Sequence, residues 1–428
     1  MRILFLCHRV PFPPDKGDKI RAFHQLRAMA ARHEVDVFTL ADDPRDLEHS
    51  SVLQDHCHRL TIARIYPRLA RLRSLPYLFT RTPLTIPYFY SAKLHAEIRN
   101  ALSSQSYDRL YIYCSAMAQY VPWGLRSSST GGSSTPASAI PVLIDMVDVD
   151  SDKWSQYADA ARFPYSAVFR KEAETLRAYE RGLCEKADCI LVSTQREAGL
   201  LRQIADAARV HVVSNGVNTA HFTPSQLNRD PGLPSIIFTG DMSYFPNQEG
   251  VIFFARQVLP LVRREIPDVR FLIVGRNPNR RVQQLQEIDR VEVTGFVPDV
   301  RPWFREASVA VAPLTIAAGV QNKILEAMSA GLPVVATARA AQGLRPEVVD
   351  LVEIADTAEE FARRVVHLLR NPQLAQTNGL KGRHRVATSY DWHVALERLL
   401  ELVEDPSGAS CDDSFDRQDA SAGLEASA

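Results

Sequence analysis

The chain has 428 residues, 46% of them hydrophobic, and 50 basic residues against 50 acidic ones, a formal net charge of zero. That length exceeds the usual single core and the apolar content suffices for two, while zero net charge gives no global attraction to nucleic acid. No apolar run reaches the roughly 18 residues of a spanning helix, and the six cysteines form no CxxC pair or zinc-type spacing with histidine, as expected of reduced core residues in a cytoplasmic protein.

From the N-terminus, residues 3–7 read as a buried strand, too short for a signal segment, and 18–32 as a helix. The loop between them, 8–19, holds Gly17 between Lys16 and Asp18. A glycine where a strand turns into a helix lets backbone approach a phosphate or an acceptor closely, although a proline-rich surface loop with solvated charges looks the same. A second strand is expected at 35–40.

Between Asp55 and Glu97 there is no acidic residue, yet Arg59, Arg64, Arg68, Arg71, Arg73, Arg81 and Lys93 interleave with Leu69, Leu72, Leu75, Tyr77, Leu78 and Phe79. Two readings of 59–93 stay open: a patch drawn to an anionic membrane surface, or a core helix with snorkelling arginines. Strands follow at 110–113 and 142–144, separated by the Ser-rich 127–139, which reads as a flexible surface loop. A long helix at 164–186 and strands at 189–193 and 210–213 complete the first half.

The second half restarts the rhythm with a strand at 236–240, a helix at 248–264, and strands at 269–274, 291–294 and 309–312. A helix carrying Lys323 and Glu326, a strand at 334–336 and helices over 357–403 follow, before a Ser-, Asp- and Ala-rich tail beyond Glu404 that is expected to be disordered. This alternation predicts an α/β fold of two doubly wound parallel sheets, with ligands in a cleft beyond the strand C-termini.

The most telling stretch is 318–335, AGVQNKILEAMSAGLPVV, a glycine-bearing loop entering a helix that stops at Gly331-Leu332-Pro333. Gly319 and the amides of Val320, Gln321 and Asn322 stand at the helix start, where unpaired N–H groups and the positive helix end attract phosphate. Lys323 and Glu326 share a helix face. The lysine suits phosphate oxygens and the carboxylate suits the paired hydroxyls of a ribose, though an ordinary i,i+3 ion pair would look alike.

This unit resembles the donor site of the retaining GT-B glycosyltransferases of family four (group 1): Glu326 matches the second acid of their pattern, followed by Ala327, Met328, Gly331, Pro333, Val334 and Val335. The run 213–218, VSNGVN, with Phe222 and Pro224, resembles the start of that family's second domain, around an Asn-Gly pair that reads in any protein as a turn. More narrowly, RVPFPPDKGDKIR (9–21), VDVDSDKW (147–154) and GVQNKILEAM are similar to the sugar transferases associated with PEP-CTERM/exosortase gene systems. Two features depart from the family pattern. Ala318 stands where the first acid would contact the sugar, and no histidine follows the first-domain strands, where the chain has Tyr113-Cys114-Ser115 and Asp145-Met146-Val147-Asp148.

The resemblance implies an acceptor-side domain at 1–214, a nucleotide-sugar domain at 215–388, a helix returning to the first domain at 389–403 and a tail at 404–428. It implies transfer of a hexose from a nucleotide-diphospho-sugar to a glycan or lipid-linked acceptor with retained configuration, in exopolysaccharide or cell-surface glycan biosynthesis, at the inner face of the cytoplasmic membrane if 59–93 docks there. No cofactor or metal is expected, since the leaving diphosphate takes the acceptor proton while cations and amides stabilise its charge.

The residues expected to act are Lys323, Asp148 and Gly17 in catalysis, with Glu326, Gly319, Val320, Gln321, Asn322, Gly240, Arg276, Lys16 and Asp145 binding substrate. Residues 240–250 contain no Arg or Lys, which leaves Lys323 as the main diphosphate cation, helped by Arg276. Asp148 or Asp145 would orient sugar or acceptor hydroxyls in place of the histidine. Asp148, Asp150 and Asp152 also contain the D-x-D that binds metal in the unrelated GT-A transferases, though helix capping and solvated acids are its commoner uses. Two other readings fit the architecture: a nucleotide-sugar 2-epimerase, whose first-domain loops this chain does not resemble, and a non-catalytic nucleotide-sugar binder, made thinkable by Ala318 and the missing histidine.

Overall fold

A computed structural model describes residues 1–14, 16–48, 50–123, 139–204, 209–224, 233–317 and 319–406. The Ser-rich loop up to residue 138, Ala318 and the tail from residue 407 onward lie outside the described residues.

The first sheet is built from β1 (Arg2–Cys7), β2 (Glu34–Ala41), β3 (Arg59–Arg64), β4 (Arg109–Tyr113), β5 (Val142–Val147), β6 (Cys189–Val192) and β7 (Val210–Val212). These pair in the order β3-β2-β1-β4-β5-β6-β7, all parallel. The second comprises β8 (Ser235–Thr239), β9 (Arg270–Val274), β10 (Val291–Gly295), β11 (Val309–Ala312), β12 (Val334–Ala336) and β13 (Glu353–Ile354), in the order β10-β9-β8-β11-β12-β13, again all parallel.

Parallel sheets covered by helices on both faces need strands that are apolar throughout. The central strands obey: Ile3, Leu4, Phe5 and Leu6 of β1 and Ile236, Ile237 and Phe238 of β8 are buried on both faces. In each sheet the winding direction reverses beside the first strand, between β1 and β4 and between β8 and β11. Loops leaving the carboxyl ends of those strands diverge to opposite faces and open a crevice.

The arginine-rich segment differs from the core-helix reading of it. Arg59–Arg64 is the edge strand β3, followed by a short helix, Pro67–Ser74, and a tight turn, Leu75–Phe79. Pro76 lacks an N–H and limits the helix to two turns. Leu69, Leu72, Leu75 and Phe79 face solvent, Phe79 at 92% exposure, so the segment is not a core helix. Charged residues commonly blunt an edge strand, and here they hide its periodicity; Arg59 pairs with Glu97 on the neighbouring helix Ala92–Ser104.

A helix at Asp150–Ala160 is a second addition, with Asp150 and Asp152 in its first turn where the positive helix end favours acids. The expected helix at 248–264 begins earlier, at Phe245–Phe253, and widens over Phe254–Val258 before continuing as Leu259–Glu265. Pro260 at the start of that last piece cannot donate to the preceding turn, which accounts for the widening.

The chain ends in helices Ala358–Arg370, Pro372–Ser389 and Trp392–Glu404. The last packs on the first domain: Trp392, Leu399, Leu402 and Val403 join its core, Trp392 stacks on His24 at 4.3 Å, and Arg109 donates to the carbonyls of Val403 and Glu404. Gly216 lies under this crossing. A Cβ there would stand 2.6 Å from the Trp392 ring, so its glycine answers to close packing rather than to a turn.

Candidate active site

Strand β1 leads into the loop that carries Lys16 and Gly17 at the head of helix Gly17–Ala30, and β11 leads into Gly319 and helix Asn322–Ser329. The two loops meet across the crevice. A Cβ on Gly17 would have the Asn322 side-chain nitrogen as its nearest neighbour, at 4.0 Å. Asn215, where the chain crosses between domains, donates to Asn322 Oδ1 at 3.2 Å. Val320 is buried, Gln321 stands at the helix's N-cap position without a side-chain cap, and Asn322, Lys323 and Glu326 are half-buried along its first turns.

Lys323 and Glu326 perturb each other without pairing closely. Lys323 Nζ donates to Asn247 Oδ1 at 2.6 Å and lies 4.8 Å from the Phe238 ring centroid, with its stem lining a small cavity behind β8. Burial brings its pKa down to about 7, with Glu326 opposing. Burial likewise raises Glu326 to about 7, with Lys323 opposing. The lysine is thus a weaker resident cation than the sequence suggests. An arriving anion would recharge it, because an opposite charge nearby favours the protonated form.

Asp145 requires a correction. It is fully buried, and one carboxylate oxygen accepts from Arg21 Nε at 2.9 Å, Gln25 Nε2 at 2.6 Å and Tyr111 OH at 3.2 Å, while the other accepts the Val147 amide. Arg21, also fully buried, continues to Asn215 Oδ1 at 3.0 Å. Asp145 therefore has no surface for a sugar; it anchors a network that ends at Asn322. Arg276 is also committed, its Nε 2.9 Å from Asp241 Oδ2 on the loop after β8. The Gly240 amide is engaged by the Val274 carbonyl, joining the ends of β8 and β9, and Lys16 serves the head of its helix, its carbonyl accepting from Ile20.

Asp148 sits in the crevice. A Cβ on Gly319, whose φ is +61°, would lie 2.3 Å from Asp148 Oδ1 and 3.1 Å from Ser193 Oγ. Asp148 lies beside Glu197, whose Oε2 accepts from Ser193 Oγ at 2.8 Å and Thr194 Oγ1 at 3.1 Å. Two carboxyls so close oppose each other's ionisation. Burial, with the charge of Asp148, raises Glu197 to about 8. Asp148 is itself raised, by burial first, with Lys153 opposing. The D-x-D residues have separate partners: Asp150 pairs with Lys153, Asp152 with Arg196. No cluster of three metal-ligating side chains occurs among the described residues.

Lys153, Glu197, Tyr244 and Asn247 escaped sequence reasoning. Lys153 alone had a local signal, standing three residues after Asp150 in VDVDSDKW; the others are defined by what folding brings beside them.

Residues 19–216 match the family described as glycosyl transferase 4-like domain, and residues 233–371 match the glycosyl transferases group 1. The chain is 29% identical over 235 residues to a phosphatidylinositol N-acetylglucosaminyltransferase of Arabidopsis thaliana, covering 52% of this chain and 49% of that one. It is 25% identical over 260 residues to a lipopolysaccharide core biosynthesis mannosyltransferase of Rhizobium leguminosarum bv. viciae, covering 56% and 70%. Among solved structures, sucrose-phosphate synthase from Thermosynechococcus elongatus superposes with a TM-score of 0.69 at 22% identity over 96% of this chain and all of that one. The Anabaena protein HepE in complex with UDP-glucose superposes with a TM-score of 0.63 at 16% identity, covering 94% and 99%. At these identities the structures speak for the GT-B fold alone, and the match spans only about half of the Arabidopsis relative. The chain's two domains thus belong in succession to the glycosyl transferase 4-like and the group 1 glycosyl transferase families, on a GT-B fold.

Proposed function

We propose that the protein transfers a hexose from a nucleotide-diphospho-sugar to a glycan or lipid-linked acceptor with retention of configuration, in the making of an exopolysaccharide or other cell-surface glycan. The observation that carries this reading is the Gly319 loop running into the helix of Lys323 and Glu326, faced across the crevice by Gly17 and Asp148. The Asn322 end of the helix and Lys323 suit a diphosphate; Glu326 suits a ribose. Asp148 reaches Gly319, next to the place where family members carry their first acid, and so is our candidate for the sugar hydroxyls.

Relatives named for phosphatidylinositol and for lipopolysaccharide core support a lipid-linked acceptor. So does the exposed Leu69, Leu72, Leu75 and Phe79 surface amid arginines, which suits the face of an anionic bilayer. The link to PEP-CTERM/exosortase systems rests on the three sequence runs quoted for it.

The test is thermal shift of the purified protein with UDP-, GDP-, ADP- and dTDP-sugars, beside Glu326→Ala and Lys323→Ala. One donor should raise the Tm, and both substitutions should abolish the rise. No shift with any donor, or one indifferent to Glu326, defeats the assignment. Donor turnover by the wild type would exclude a binding-only protein, and the anomeric signal of the product decides retention.

A further inference from the structure

We propose that Lys153, carried by the first domain, meets the donor's diphosphate in the crevice as a cation additional to those of the second domain; this rests on the nucleotide-sugar reading above. Residues 240–250, the loop and helix start after β8, hold no lysine or arginine. Arg276 is held by Asp241 at 2.9 Å, and Lys323 is turned toward Asn247 and the Phe238 ring behind β8.

Lys153 lies on the first turn of helix Asp150–Ala160, with its side chain 24% exposed and paired to Asp150. That helix faces the second domain. One turn later, Tyr157 meets Phe245 edge-on, ring centroids 6.5 Å apart. Lys153 precedes Tyr157 by one turn on the same helix face, and Asp148, two residues ahead of the helix, abuts Gly319. Lys153 therefore stands over the ground between the loops that leave β8 and β11, the crevice where a doubly wound sheet of this order takes a diphosphate.

The charges around it permit an anion to enter. Burial opposes the ammonium, but Asp150 and Asp148 outweigh burial and keep it protonated. Burial and the neighbouring Asp148 hold the Glu197 carboxyl toward its neutral form, which lightens the negative charge a phosphate would meet. A partly exposed ion pair is weakly held. The diphosphate can replace Asp150 as the partner of Lys153, one anion for another, with no bond made or broken.

The experiment is titration of the full chain with UDP, GDP, ADP and dTDP and with the matching monophosphates, continued with whichever base binds. Lys153→Met should weaken the diphosphate by roughly 10- to 100-fold and the monophosphate much less, as expected for one lost charge-assisted hydrogen bond. Lys153→Arg should recover part of the loss, and Glu326→Ala should weaken both nucleotides alike. Should Lys153→Met be unstable because Asp150 is stranded, the double variant with Asp150→Asn removes the pair as a unit and must show the same selective loss. Wild-type diphosphate affinity in either variant overturns the role of Lys153 and leaves the nucleotide site standing. Failure of the wild type to bind any of these nucleotides overturns the nucleotide-sugar reading, and this inference with it.

Discussion

A single methyl group at residue 319 should loosen the contact between the domains. Gly319 has φ +61°, a left-handed conformation that costs any other L-residue about 1 kcal/mol. The added Cβ would lie 2.3 Å from Asp148 Oδ1, inside any van der Waals contact, so the carboxyl must turn away. Turning parts it from the buried polar groups beside it, Glu197 among them, at about 1–3 kcal/mol. The total of about 2–4 kcal/mol falls on the junction where the donor would bind, so Gly319→Ala should weaken the bound nucleotide sugar at least about thirty-fold by calorimetric titration. Asp148→Ala removes the clash, and Asp148→Ala with Gly319→Ala should then cost less than the sum of the singles by about 1–3 kcal/mol. Strict additivity, or wild-type affinity in Gly319→Ala, would refute the argument that the Gly319 loop and Asp148 form one site.

Three further outcomes follow from the same geometry. Arg21→Met strands the buried Asp145 carboxylate and should lower the unfolding free energy by about 3–5 kcal/mol in urea; a loss below about 1 kcal/mol would contradict the network drawn here. Glu197, raised to about 8 from an ordinary 4.5, binds its proton more tightly folded than unfolded, so the stability it contributes is fully present below about 4.5 and is lost as pH rises through about 8. Asp148, Ser193 and Thr194 surround that group, and Asp148 in turn feels Asp150, Lys153 and Arg21. Glu197→Gln should flatten the decline, while Glu326, Glu180 and Lys323, each shifted to about 7, keep their own slopes in both proteins. Lastly, Leu72→Asp with Phe79→Asp should abolish flotation with anionic vesicles while leaving the Tm within about 1 °C, since both side chains already face water; salt-insensitive failure of the wild type to float would end the membrane reading.

Wherever one face or both faces of an element are buried against apolar neighbours, the local sequence carried the message. Strands β1, β8 and β11 and the unit from Gly319 to Val335 could be read directly, because parallel strands must be apolar throughout and a helix start beside glycine has few other uses. β3 could not, since its arginines answer to an exposed sheet edge rather than to a period.

The site divides along the same line. Residues 319–326 are contiguous, so their spacing alone announced a glycine-bearing loop entering a helix with a lysine and an acid on one face. Which neighbours those side chains meet was decided only when two sheets, wound separately, closed on one another. Asp145 and Asp148 are three residues apart in one strand-to-helix segment, yet the first ends beneath Arg21 and the second against Gly319 of the other domain. Sequence fixes which groups exist and how far apart they lie along the chain; burial and the partner across the crevice set their charge and their work, and those are properties of residues distant in sequence.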